Sequence, residues 1–372
     1  MTAKNIAPDQ ETLTISTGGK TLSGWLEVSI TRGVEICPSS FSVSMTERFP
    51  GQAAKAVVDP GSPCTIAISG TTILTGYVDA FLPGYDADSH TVHLLGRSKT
   101  EDIVDCSVDA DAVGWEIYGG NGAAVKTIAS KICAPFGVNV VMPDGDSALP
   151  TGAAFSVYPG FRCFQLIEEL CRSVGMLAWD DANGNLVISK AGTAGRAASS
   201  LVEGQNILAA EAMFTMNERF NTYKVVSQVP NDITGHISTY AFANPQDNGV
   251  PRYRLMLIPS ETPLQKQFLQ RRANWERSRR YGRSRMARIT VPSWRDSAGN
   301  IWQPNSVIGV NAPNLKIVED RVISEVTFYR GERGTLATLT LIEKQGLTPE
   351  PFFAIGALGT TTGNSVAGTI ST

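Results

Sequence analysis

The stretch Val157–Lys190, VYPGFRCFQLIEELCRSVGMLAWDDANGNLVISK, reads as a helix followed by a β-hairpin, and it decides how the rest of the chain divides. Phe164, Ile167, Cys171 and Val174 recur at i, i+3, i+7 and i+10, and Leu166 and Leu170 widen that stripe. Gln165, Glu168, Glu169, Arg172 and Ser173 fill the opposite face, so one side of the helix is buried. Gly175 stands where a helix end needs a residue tolerant of positive φ, and Met176 to Trp179 reads as a strand. Asp180-Asp181-Ala182-Asn183-Gly184 carries turn chemistry and is expected in solvent, before a second strand from Asn185 to Ser189. Sequence on both sides alternates with period two. The organising idea is therefore a helical insertion between two β halves.

Working outward, residues 11–97 read as a β-meander, with Phe41, Val43 and Met45 facing one way and Ser42 and Ser44 the other. Pro60-Gly61-Ser62-Pro63 breaks the chain, Ser69-Gly70-Thr71 turns a hairpin, and HTVHLLGRS closes the set as a small barrel or sandwich. Asn121-Gly122 is expected to open an amphipathic helix carrying Val125, Ile128, Ala129, Ile132 and Cys133, ended by Pro135 and Gly137. Strands return over residues 198–260. Thr262-Pro263 then caps a helix that should run to about Arg280 and stop at Gly282. The last two strands flank Gly331-Glu332-Arg333-Gly334. The fold class expected is mainly β with an α+β insertion. Its parts are the N-terminal part of a first β-barrel (1–103), an inserted α/β domain (104–197), a β segment completing or bridging the first barrel (198–250), a second β-barrel with an embedded helix (251–350), and an uncharged Gly/Ser/Thr-rich tail (351–372) that is flexible or ordered by a partner.

A chain of 372 residues exceeds one ordinary core, so roughly two to four domains are expected. A formal charge of −3 excludes global basicity as a nucleic-acid signal. Charged residues are 18% of the chain, against about 25% in an average soluble protein; either other subunits cover part of the surface or neutral polar residues replace charge on it. The six cysteines form no CxxC and read as reduced, mostly buried thiols, Cys163 and Cys171 standing too far apart on one helix for a disulfide. There is no signal-like start and no long apolar run, so the protein is expected to be soluble and made in the cytoplasm.

Several constellations invite a chemical reading. Trp115 to Gly122 resembles a glycine-rich phosphate loop, but no Gly-Lys-Ser/Thr ends it, and an ordinary loop is preferred. His90 and His93 form an HxxH whose odd spacing on a strand sends the imidazoles to opposite faces. Glu168-Glu169 and Asp180-Asp181 could imitate the paired carboxylates of a glycosidase, yet solvation explains them, because an acid catalyst needs a pocket that raises its pKa. No catalytic, metal or cofactor residues are assigned. The densest charge lies in RRANWERSRRYGRSRMAR, Arg271 to Arg288. Its Arg271, Arg272, Arg277, Arg279 and Arg280, interleaved with Trp275 and Tyr281, would suit stacking on bases and phosphate neutralisation, or a solvated face or ion-paired subunit interface, and the interface is preferred.

The series LSGWLEVSITRGVEICPSSFSVSMTE, VVDPGSPCTIAI with TGYVD, HTVHLLGRSKTEDIVDCS, ICAPFGVNV, YPGF with its helix, NERFNTYKVVSQ and VPSWRDSAGNIWQPNSVIGV resembles the baseplate hub proteins of Mu-type contractile-tailed phages. The likeness runs in order to about residue 345 and lies in the whole series rather than in one motif. It implies two tube-like β-barrels per chain, an inserted α/β module and a ring-shaped homotrimer, with the hub of T-even phages and the N-terminal part of VgrG as remoter relatives. It further implies a structural, non-enzymatic role in the virion tail baseplate. The partners implied are a second and third copy, the tail spike, the tail tube and other baseplate proteins, and phage DNA passing without sequence-specific contact. The alternative is a tail-borne cell-envelope hydrolase or carbohydrate-binding module acting through residues 104–197.

Overall fold

The structure, a computed structural model, describes residues 11–46, 58–85, 90–120, 123–231, 236–242, 246–260 and 266–351. The expected helix start at Asn121-Gly122, the Thr262-Pro263 cap and nearly all of the 351–372 tail lie outside them. The chain is mainly β: of the described residues, 44% lie in strands and 18% in helices.

The N-terminal strands are β1 (Leu13–Thr17), β2 (Lys20–Leu22), β3 (Glu27–Gly33), β4 (Ser40–Thr46), β5 (Pro63–Ile68), β6 (Thr71–Tyr85) and β7 (His90–Ser98). The period-two reading holds on β4, where Phe41, Val43 and Met45 are buried. Ser69 and Gly70 adopt positive φ at the tip of the β5–β6 hairpin, as a tight two-strand turn requires. The meander expectation is corrected. β1–β2, β3–β4, β5–β6 and β6–β7 pair in sequence order, but β1 also pairs with β5 and β4 with β7, across intervening strands. The buried stripes of β1 and β4 meet a common core only in that order.

The insertion comprises α1 (Glu101–Asp105), α2 (Ala110–Val113), β8 (Glu116–Tyr118), α3 (Val125–Cys133), β9 (Val140–Val141), β10 (Ala154–Ser156), α4 (Cys163–Ser173), β11 (Leu177–Asp180) and β12 (Leu186–Ser189). α4 buries Cys163, Leu166, Ile167, Leu170 and Cys171 against Ile132, Cys133 and Phe155, and Gly175 closes it at φ +70°. At about 1.5–3 kcal/mol per fully buried aliphatic side chain, this stripe rather than helix propensity holds α4 in place. α3 begins at Val125, after Ala124 in extended backbone, and the first-turn N–H of Lys126 donates at 3.2 Å to Asp146, twenty positions away in the chain. Four cysteines are buried, but Cys106 is exposed.

The C-terminal part holds β13 (Leu201–Val202), β14 (Ala209–Phe214), β15 (Thr222–Asn231), β16 (His236–Phe242), β17 (Leu255–Ser260), α5 (Lys266–Arg283), β18 (Arg285–Val291), β19 (Val307–Ala312), β20 (Ile317–Gly331) and β21 (Gly334–Ile342). α5 passes Gly282 instead of stopping there. That glycine serves close approach, since a Cβ on it would lie 2.5 Å from the backbone N of Gly346. Residues placed by sequence with the first β half pair with the second: β13 lies beside β19 and β14 beside β18. β15, β16 and β17 make a separate three-stranded sheet covered by α5.

One path of hydrogen bonds runs β14-β18-β21-β20-β3-β4-β7-β6-β5-β1-β2, with β19 and β13 branching from β20 in a sheet of 13 strands. The strand β20 carries the join. Its first half, Ile317–Val322, pairs with β19, and its second, Glu325–Arg330, pairs with β3 across Val28–Gly33. Among the described residues the strands close into no barrel; the two β halves are fused through β3 and β20 and share one core in which Ile30, Phe41 and Ile66 belong with Ile289, Phe328 and Leu339.

Candidate functional site

The arginine-rich helix is where the parts of the chain meet. Leu269 and Ala273 of α5 pack on Tyr223, Val225 and Ile258, which fixes the azimuth of the helix and sends its arginines sideways. Glu276, nearly buried, accepts from Arg272 at 3.1 Å and from Arg280 at 2.9 Å, one turn to either side. Arg280 also reaches Glu218 at 2.7 Å. Arg272 pairs with Glu350, and Glu350 with Arg172 of α4 at 3.4 Å. Arg279 donates to the Thr348 carbonyl at 2.9 Å and pairs with Glu35, two residues beyond β3, as does Arg283. Burial, with Arg283 beside it, lowers the Arg279 pKa from its ordinary value.

The aromatic residues are used in the same network. Arg272 and Arg279 both lie over Trp275, whose indole N–H donates to Thr348 at 2.9 Å. Arg254 and Arg280 lie over Phe220, and Arg219, held by Asp247 through two bonds of 2.8 and 2.7 Å, lies over Tyr281. Arg272, Arg279 and Arg280 are thus engaged inside the chain. Arg271 is exposed and Arg277 half-buried, within electrostatic reach of Asp247. Alternation of acid and arginine across distant segments is invisible to a window of sequence, so the internal partners Glu35, Glu218 and Glu350 could not have been named from it. Between α4, α5 and Pro349-Glu350 lies a cleft of about 360 Å³ whose walls mix Phe164 and Trp275 with Glu168, Arg172 and Arg279.

A second polar joint seats the insertion on the sheet. Asp180, expected in a solvated turn, is only 1% exposed. Its carboxylate accepts from the Ser39 backbone N–H at 3.0 Å and the Ser39 hydroxyl at 2.8 Å. Burial pushes the Asp180 pKa up, opposed by hydrogen bonds from Ser98 and Ser39 and by the nearby charge of Arg32. Arg32 is equally buried, and burial lowers its pKa against the pull of Asp180 and Asp181. Only Asp181 keeps the turn role, accepting from the N–H groups of Asn183 and Asn185. A signal for Arg32 existed: it continues the inward parity of Val28 and Ile30 on β3, and a charge at an inward position calls for a partner. Asn305 completes the joint, donating to Ser189 at 3.1 Å and the Lys190 carbonyl at 2.9 Å while accepting from Gly192 N–H at 2.6 Å.

The other constellations fall apart in space or into packing. His90 and His93 are both exposed on β7, and His90 stacks on Tyr85. Glu168 is exposed, while Glu169 is half-buried with a pKa raised by that burial. Gly119 meets the Pro150 carbonyl so closely that a Cβ would lie 2.1 Å from it, which makes the glycine loop a packing contact. The chemistry gathered at both joints is recognition by charge and hydrogen bond.

Three family models match in order along the chain: the N-terminal domain of Mu phage baseplate assembly protein GpP-like at residues 12–98, the second domain of baseplate hub protein gp44-like at 100–190, and the fourth domain of Mu phage baseplate assembly protein GpP at 266–350. The chain belongs to the Mu-type baseplate hub family. The hub chain is 28% identical over 349 residues to baseplate hub protein gp44 of Escherichia phage Mu, covering 90% of this chain and 88% of that one. Its fold is similar to the 43 kDa tail protein of prophage MuSo2 from Shewanella oneidensis, with a TM-score of 0.82 at 28% identity over 92% of this chain and all of that one. It is also similar in fold to a tail protein of Neisseria meningitidis, with a TM-score of 0.74 at 20% identity over 92% of this chain and 99% of that one. The hub chain is accordingly a structural component of a phage tail baseplate.

Proposed function

We propose that the hub chain works as a ring-shaped homotrimer that adapts a six-fold tail tube to a three-fold central spike and leaves a channel through which DNA passes during injection. The observation that carries this reading is the fusion of two β halves through β3 and β20. One subunit with two β halves, repeated three times, offers six β units to the tube and three-fold symmetry to the spike. A low charged fraction of 18% fits a surface that neighbouring subunits and other baseplate proteins cover. DNA would be met without sequence-specific contact, since Arg272, Arg279 and Arg280 are tied to carboxylates of the same chain. Arg271 and Arg277, which among the described residues make no hydrogen bond or ion pair, are left to face a neighbouring subunit. Assembly would precede release, in the host cytoplasm.

Negative-stain images of the purified full chain test the reading. Three-fold rings with a central pore are expected. Isolated single-chain particles at high protein concentration would overturn it.

A further inference from the structure

The last described residues lie along the cleft between α4 and α5. Pro349 and Glu350 form part of its wall, and the described chain ends just beyond them at Pro351, which is half-buried. This approach is tied down bond by bond. Thr348, in extended backbone, gives its carbonyl to the indole N–H of Trp275 and to Arg279. Glu350 pairs with Arg272 of α5 and with Arg172 of α4, so it links the arginine helix to the insertion. Apolar surface faces it across the cleft, Phe164, Met176 and Ala178 from the insertion and Trp275 from α5, in a volume of about 360 Å³. The next two residues in the sequence are Phe352 and Phe353, and none of the residues after them is aromatic or charged.

We propose that Phe352 and Phe353 fill this cleft in their own chain, so that the C-terminal segment straps the insertion to α5. Connectivity puts Phe352 within about 7 Å of Glu350, itself on the cleft wall. The prolines at 349 and 351 keep Thr348 and Glu350 out of helical backbone. Side chains two apart in an extended run share a side, which turns Phe352 the way Glu350 turns, toward the gap between the two arginines. Rings packed on Phe164 and Trp275 leave water and gain aromatic contact together. The strap also fixes where the uncharged segment 354–372 leaves the body of the chain. It needs one chain only and stands or falls independently of the proposed trimer.

The direct test is photo-cross-linking of the full chain with p-benzoylphenylalanine in place of Phe352. The adduct should map to α4, α5 or Met176–Ala178 and run at the mass of one chain on denaturing gels. Adducts at twice that mass would assign the cleft to a second copy and overturn the strap, and so would adducts confined to segments outside the cleft. A reporter thiol reads the same contact: Ala178→Cys in a Cys106→Ser background. Phe352→Ala with Phe353→Ala should make that thiol react with a maleimide about tenfold faster, with circular dichroism unchanged, and Phe352→Leu with Phe353→Leu should keep it slow. Equal rates with phenylalanine and alanine at both positions would overturn the proposal.

Discussion

At the scale of single residues, the joint between sheet and insertion depends on charges kept out of water. Asp180→Ala removes the acceptor of the Ser39 N–H and hydroxyl and a negative charge that acts on buried Arg32. Leaving a buried donor without its acceptor costs about 1–3 kcal/mol, so urea denaturation should show a loss in that range. A loss below about 1 kcal/mol would mean that Ser39 finds another acceptor. Glu101 at the start of α1 supplies a pH test. Burial, and then Asp79, raise its pKa to about 8, although Arg97 pulls the other way. Arg97 bonds Asp79 at 2.7 Å and pairs with Glu101 at 3.3 Å and Asp105 at 2.9 Å, one cation among three acids. Between the ordinary glutamate pKa of about 4.3 and this raised value the folded chain holds a proton that the unfolded chain releases. Stability should therefore fall as pH rises through that window. Glu101→Gln should flatten the fall in melting temperature measured between about pH 5 and about pH 9; an unchanged slope would place the proton elsewhere.

At the scale of elements, α5 is held at least as much by its acids as by its arginines. Glu276 links Arg272 and Arg280 from a position only 7% exposed, so Glu276→Gln weakens two charge-assisted bonds at once. A loss of about 1–3 kcal/mol in thermal or urea unfolding is expected. Arg271→Gln with Arg277→Gln should instead leave the melting of the chain unchanged and weaken association between chains. A lower affinity for duplex DNA with assembly intact would return the helix to a nucleic-acid role. The same elements show what a sequence can reveal. α4 was legible because Leu166, Ile167, Leu170 and Cys171 repeat at helical spacing, and β4 because Phe41, Val43 and Met45 alternate. Asp180 was not, because a carboxylate beside Asn and Gly looks the same in a solvated turn as at a strand end covered by Ser39, which lies 141 positions away.

At the scale of the whole molecule, periodicity announced two β halves around an insertion but could not tell how they join. The join depends on pairing β3 with β20, segments some three hundred residues apart, and alternation on each strand is the same whichever neighbour it takes. Alternation in residues 11–97 likewise suggested a meander, whereas the fold places β1 beside β5 and β4 beside β7. The fusion of the halves matters for assembly, because it joins two β units in one continuous sheet. The mass of the full chain in solution, followed by light scattering over a range of concentrations, tests the central claim most directly. A stable species of three times the 39.8 kDa chain mass is expected. A single chain that stays single at the highest concentration would contradict it.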